Sequence, residues 1–249
     1  MQTRFYLLVF AIVLLSGCQK TLETDSGNVA VKLTNMLGDG PITLESKTYI
    51  NAVAEPYTVS KLRYYITNVR LIGTSSAAEA ESYHLIDAEK PESLQFSFTA
   101  PSATFNSIEF LLGVDSTRNV SGAQTGALDP LNDMFWTWNS GYVMLKIEGN
   151  SPVSPVAGKK FEYHLGGFSG PNNVLKKIQL PFPAGKLASI QKGKTCEISI
   201  MANLDKLWAG PNALSIAATP VCTTPGAQAL KIADNYQHMF TLSDVVNNK

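Results

Sequence analysis

The sequence predicts a mainly β protein, folded as an antiparallel β-sandwich with long loops and a short C-terminal helix. Three observations predict this class. Apolar and polar residues alternate over many short stretches, which is the pattern of half-buried strands. Glycine and other turn-forming residues bound these stretches, as strand connections require. Only the segment Gly226–Phe240 has apolar spacing that suits a helix of several turns.

The N-terminus has the features of a bacterial secretion signal. Arg4 precedes the apolar run Phe5–Leu15, which is too short to cross a bilayer as a helix. The run leads into Leu15-Ser16-Gly17-Cys18, which is similar to the lipobox of bacterial lipoproteins. That resemblance implies removal of residues 1–17 and attachment of a diacylglycerol to Cys18.

A lipid on Cys18 would anchor the chain in the bilayer without a transmembrane helix, since buried acyl chains contribute about 0.8 kcal/mol per CH₂ group. Residues 18–28 have no apolar periodicity, which is typical of a flexible tether. Position 19 is Gln rather than the Asp of enterobacterial inner-membrane retention. We therefore expect an outer-membrane lipoprotein, facing the periplasm or the cell surface, with a single domain over residues 29–249.

The alternating segments follow one another along this domain. Their apolar sides are buried when two sheets pack face to face. The longest connections, 74–82, 118–129 and 151–158, are rich in Ala, Gly, Ser and Pro. The predicted strands lie within Val29–Leu33, Leu62–Leu71, Tyr83–Asp87, Phe105–Val114, Tyr142–Glu148, Lys160–Leu165, Leu175–Leu180 and Cys196–Asn203.

Charge and cysteine content limit the classes of partner and of cross-link. Twenty acidic and 20 basic residues give a formal net charge of zero, and no run of Lys or Arg exceeds two residues. Nucleic acid is therefore not an expected partner. Besides Cys18, the sequence contains Cys196 and Cys222, which are candidates for a disulfide because such bonds persist outside the cytoplasm.

The segment from Met134 to Tyr142 holds Trp136 and Trp138, two of the three tryptophans of the chain. In an extended segment the two indoles face the same way. One interpretation is that both rings fill the core, as aromatic residues in strands often do. The other is a metal site, because Met134 is a soft thioether of the kind that copper selects.

Histidine is scarce, which makes each imidazole informative. His164 comes at the end of a predicted strand that continues into Gly166 and Gly167, and strand ends next to flexible turns commonly carry ligands. A hydrogen-bonded structural role for His164 is the alternative. The single residue does not decide between them.

Several motifs follow one another in a fixed order. They are Leu62-Arg63-Tyr64-Tyr65-Ile66-Thr67-Asn68-Val69, Tyr83-His84-Leu85-Ile86-Asp87, Leu112-Gly113-Val114-Asp115, Met134-Phe135-Trp136-Thr137-Trp138-Asn139-Ser140-Gly141-Tyr142 and Tyr163-His164-Leu165-Gly166. Together they resemble the MbnP-like family, over about residues 29–245.

The resemblance implies a copper-binding protein that works with a dihaem, peroxidase-like enzyme. Relatives bind copper through histidines and a tryptophan oxidised to kynurenine, which makes Trp136 or Trp138 the candidate modified residue. His164 matches the family's His-Leu-Gly motif, and His84 is the candidate second imidazole. The chain differs from methanotroph members at Asn139, where they have Gln.

The expected function is therefore copper capture or delivery by a membrane-anchored, extracytoplasmic protein that is not itself an enzyme. An adhesion or scaffold lipoprotein of the same fold, with no metal, is the alternative. A hydrolase has little support, because Ser169 lacks the sequence context of a nucleophile elbow.

Overall fold

The computed structural model describes residues 25–122, 124–137 and 140–249. The expected signal sequence and Cys18 lie outside these residues, as does Trp138. The strands are β1 (Ser26–Leu37), β2 (Gly40–Pro41), β3 (Tyr49–Ile50), β4 (Pro56–Gly73), β5 (Ser76–Ala78), β6 (Tyr83–Asp87), β7 (Gln95–Pro101), β8 (Thr104–Leu112), β9 (Phe135–Thr137), β10 (Gly141–Asn150), β11 (Lys160–Gly166), β12 (Lys176–Pro181), β13 (Ala188–Ser189), β14 (Thr195–Asn203), β15 (Val221–Cys222) and β16 (Phe240–Val246).

Helices are few and short in the described part of the chain. The α-helices are α1 (Ser116–Asn119), α2 (Asp205–Ala209) and α3 (Ala227–Tyr236), and single 3₁₀ turns occupy Pro91–Leu94, Gly126–Leu128, Pro130–Asn132, Ala157–Lys159 and Gly170–Asn172. None of these helices is long and apolar enough to cross a membrane.

Two sheets form the sandwich. The smaller sheet has the order β16-β14-β1-β2, and β7 pairs with the first part of β1. The larger sheet has the order β12-β8-β4-β10-β11-β15, and further short strands pair with β4, β8 and β10. The long strand β4 organises the larger sheet, because residues 58–64 pair with β10 and residues 66–73 pair with β8.

The core lies between the inner faces of the two sheets. Tyr64 of β4 is fully buried, and its hydroxyl donates a 2.7 Å hydrogen bond to Oδ1 of Asn35 on β1. The ring of Phe240 from β16 packs against Tyr64 and Phe110 of the larger sheet, with centroids 5.8 and 5.3 Å apart. Aromatic contacts and one buried hydrogen bond thus fix how the sheets face each other.

The structure confirms the predicted class, a mainly β, sandwich-like fold with a short C-terminal helix. Its sheets are mixed rather than wholly antiparallel, because β1 pairs in parallel with β14 and β11 in parallel with β15. The predicted helix ends at Tyr236, and Phe240 begins the edge strand β16 instead. The apolar residues after Tyr236 fit both a helix and a strand, and pairing with β14 decides between them.

The loop between β8 and β10 covers part of the outer face of the larger sheet. The hydroxyls of Tyr65 and Tyr142 donate hydrogen bonds of 3.0 and 2.7 Å to the carbonyls of Ala127 and Leu128. The two tyrosine rings also meet edge to face, 5.8 Å apart. These contacts hold the loop on the sheet just before the tryptophan segment.

Candidate metal centre

His164 lies on the outer face of the larger sheet. On β11 the side chains of Tyr163 and Leu165 are buried in the core, so the intervening His164 points away from it. Its Nε2 atom is 2.8 Å from Oε1 of Glu148 on β10. The His164 hydrogen bond outweighs partial burial and keeps the pKa of Glu148 below its ordinary value. The carboxylate orients the imidazole through Nε2, so Nδ1 is the ring nitrogen that Glu148 does not contact.

Within the tryptophan segment, Trp136 packs on the same face. Its strand β9 pairs with the start of β10, and the Trp136 ring lies directly on Gly166. A Cβ atom at position 166 would overlap Cζ3 of that ring and lie 2.7 Å from Cη2. Gly166 and His164 are two residues apart on β11, about 7 Å along one face. The glycine therefore admits the indole onto the face of β11 that carries His164.

A group of charged residues, here called the Asp133 cluster, connects the segment to the sheet. The Asp133 carboxylate lies 2.8 Å from Nζ of Lys146, 3.5 Å from Nζ of Lys61 and 3.7 Å from Nη1 of Arg63. Lys61 also lies 3.7 Å from Glu148. The cluster thus extends from the turn before Met134 to the carboxylate that orients His164.

His84 is on the opposite face of the sheet. Arg63, Lys146 and His164 are directly paired across β4, β10 and β11, and Asp87 of β6 pairs with Arg63, so these four side chains share the outer face. His84 is three residues from Asp87 and therefore faces the other way.

The surroundings of His84 agree with this register. Its Nε2 is 2.8 Å from Oε2 of Glu79, and its ring stacks on Phe96 of the smaller sheet with centroids 3.6 Å apart. The structure therefore does not bring His84 and His164 to one site. The register of β6 is the reason, and it depends on pairings that the local sequence does not specify.

Met134 does not face the same surface. It has no solvent exposure and belongs to the hydrophobic core, while its carbonyl accepts a 2.8 Å hydrogen bond from the Val143 amide. The predicted thioether ligand is thus a core residue in this arrangement, because burial of its apolar side chain stabilises the start of the segment.

The fit to a metal is partial. Within residues 25–122, 124–137 and 140–249, no group of three His, Cys, Asp or Glu side chains is placed to hold an ion. His164, Glu148 and Trp136 share one face of the sheet. A copper site there would need a further ligand, and that ligand would have to come from the indole.

The cysteine pair predicted as a candidate disulfide is not bridged. Cys196 and Cys222 are both buried free thiols, and they belong to different sheets, on β14 and β15. Burial raises the pKa of Cys196 to about 11, which keeps the thiol protonated and unreactive.

Sequence reasoning missed three residues that shape the site: Glu148, Lys146 and Asp133. Nothing local marks them, because each gains its role from the pairing of β10 with β11 and β4. Gly166 was visible only as part of the His-Leu-Gly motif, and its role in admitting the Trp136 ring requires the folded chain.

Comparisons with known proteins identify relatives of the fold and of the sequence. The sequence profile of the MbnP family matches residues 26–224. The solved structure of MbnP from Methylosinus trichosporium is similar, with a TM-score of 0.57 and 12% identity over 89% of this chain and 99% of that one. No curated protein matches the chain in sequence.

Proposed function

Because the chain belongs to the MbnP family, we propose that it is a membrane-anchored, extracytoplasmic copper-binding protein. Its role is to capture or deliver copper, and it catalyses no reaction itself. Copper comes into this proposal from the resemblance of its motifs to that family. The arrangement of Trp136, Gly166 and His164 supports a copper site on the outer face of the larger sheet.

One observation carries the proposal, the position of Trp136 on Gly166, on the sheet face that carries His164. Imidazole suits copper as a ligand, and the ring nitrogen of a metal-binding histidine that does not bind the metal usually donates its N–H to a carboxylate. Glu148 occupies Nε2 in this way, so His164 would bind the metal through Nδ1. His84 has no part in this site, since it faces the space between the sheets.

The tryptophan pair supplies the second ligand only after modification. An indole offers a donor N–H and no lone pair to a metal. Cleavage of the indole C2–C3 bond, a four-electron oxidation that adds two oxygen atoms, gives N-formylkynurenine, and hydrolysis then releases C2 as formate. The resulting kynurenine has a ketone and an aniline nitrogen, both of which are donors to copper. We propose that a dihaem, peroxidase-like partner supplies the oxidising equivalents for this change at Trp136 or Trp138.

A non-metal adhesion or scaffold lipoprotein is the second candidate, and a specific observation favours it. The Nε2 atoms of both His164 and His84 are already bound by carboxylates, at 2.8 Å in each case. Hydrogen-bonded histidines of this kind stabilise a fold without binding metal. On this alternative Trp136 is a packing residue.

Intact-mass and metal analysis of protein purified from its native host separates the two candidates. The copper proposal expects bound copper and the mass of a chain in which one indole has lost a carbon and gained an oxygen. Replacement of the modified tryptophan by Phe should remove the mass change and weaken copper binding, whereas Trp208→Tyr serves as the control. An unmodified mass with no copper would support the scaffold.

A further inference from the structure

Asp133 occupies an unusual position in the turn that leads into the tryptophan segment. Its backbone is left-handed, with φ of 58°, a conformation that Asp and Asn tolerate better than most residues. It follows the 3₁₀ turn Pro130–Asn132, in which the Leu131 amide donates to Asp129 Oδ1 at 2.9 Å. The turn directs the chain from the loop onto the edge of β10.

The cations of the Asp133 cluster bind both the carboxylate and the backbone of this turn. Lys146 Nζ donates to the Asp133 carbonyl oxygen and lies 2.8 Å from its carboxylate. Arg63 Nη1 donates to the carbonyl of Asn132 at 3.2 Å. Two cations from the outer face of the sheet therefore hold consecutive peptide groups just before Met134.

The Lys146 side chain is only 5% exposed, whereas that of Asp133 is 61% exposed. Asp133 is the one ion-pair partner within 4.0 Å of Lys146 among the described residues. Water cannot easily replace this carboxylate, since a buried ammonium without a partner is strongly unfavourable. The pair therefore couples a buried residue of β10 to a turn at the surface.

We propose that Asp133 is a positioning residue, which through Lys146 and Arg63 holds the following segment so that the Trp136 ring rests on Gly166, on the sheet face that carries His164. The position of the ring is then set by an ion pair and not only by the space above the glycine. The consequence for copper rests on the proposed function, but the position of the ring can be measured without it.

Fluorine NMR of the full chain labelled with 5-fluorotryptophan reports the position directly. The protein is produced without the proposed maturation enzyme, so that all three tryptophans remain indoles, and single Trp→Phe variants assign their resonances. Trp208, buried among Tyr57, Phe161 and Tyr163, reports whether the domain remains folded. Asp133→Asn retains a residue that tolerates the turn and removes the charge, and Asp39→Asn is the control, since its side chain is 98% exposed on a remote turn.

In Asp133→Asn we expect the Trp136 resonance to move to the position of a solvent-exposed fluorotryptophan, with Trp208 unchanged. The double variant Asp133→Asn with Lys146→Met removes the buried charge together with its partner. Its melting temperature should recover toward that of the wild type, while the Trp136 resonance stays displaced. The double variant also decides the matter if the single one unfolds.

An unchanged Trp136 resonance in both variants would overturn the proposal. So would recovery of that resonance together with the melting temperature, because Asp133 would then act on stability alone. In parallel, Asp133→Asn should weaken copper binding by about 10- to 100-fold relative to Asp39→Asn, as loss of outer-shell support does. If the wild type binds no copper, the proposed function fails and the fluorine result still stands.

Discussion

At the scale of single residues, Gly166 has the most specific role in the site. Its missing side chain leaves the space that the Trp136 ring fills. In Gly166→Ala the added methyl must displace the indole or shift β11, and such overpacking costs about 1–3 kcal/mol. We expect a lower free energy of unfolding in urea and weaker copper binding.

Gly40→Ala is the matched control for this change. A Cβ atom at position 40 would meet no other atom within 4 Å, and the residue does not have a positive φ. Its stability and copper binding should stay near those of the wild type. Equal behaviour of the two variants would mean that Trp136 does not rest on Gly166.

At the scale of elements, a buried carboxylate joins two segments that are distant in sequence. Glu55, in the turn between β3 and β4, accepts hydrogen bonds from Ser215 Oγ at 2.7 Å and from the amides of Ile216 and Ala217 at 2.6 and 3.2 Å. Asn51 donates a further one at 2.8 Å. Although burial opposes ionisation, these donors together hold the pKa of Glu55 below its ordinary value of 4.5.

Glu55→Gln should therefore lower the free energy of unfolding at neutral pH by about 1–3 kcal/mol, since the amide presents a donor to groups that need an acceptor. A depressed pKa contributes stability above pH 4.5 that is lost as the pH falls through the folded-state value. The variant should show a smaller loss between about pH 5 and 3 than the wild type. Parallel pH curves, with exposed Glu92→Gln as the control, would contradict this role.

Sequence patterns predict an element well where local burial determines it, and poorly where pairing with distant strands determines it. Alternation over Leu62–Leu71 identifies the middle of β4, because burial on one face has a period of two. The remainder of the strand, from Pro56 to Gly73, is set by pairing with β10 and β8. For the same reason a strand end predicts His164 as a candidate ligand, whereas the separation of His84 from it follows from sheet register alone.

At the scale of the whole molecule, the predicted lipid anchor would determine where the domain works. The anchor is a prediction from the Leu15-Ser16-Gly17-Cys18 motif. In Cys18→Ser the thioether to diacylglycerol cannot form, so the protein should move from the membrane fraction to the soluble extracytoplasmic fraction. Fractionation with mass analysis of the N-terminus measures this, with Cys222→Ser as the control. Retention in the membrane of a Cys18→Ser variant that mass analysis shows to have lost residues 1–17 would show that another segment anchors it.

The location of the metal is the central claim, and a matched pair of histidine variants tests it most directly. Both His164 and His84 bind a carboxylate through Nε2, so a glutamine at either position retains a nitrogen donor near that atom. Copper affinity of the natively matured protein should be measured for His164→Gln and His84→Gln, with thermal unfolding as the check on folding. We predict that His164→Gln abolishes copper binding and that His84→Gln leaves it unchanged. Loss of binding in His84→Gln, or full retention in His164→Gln, would contradict the account.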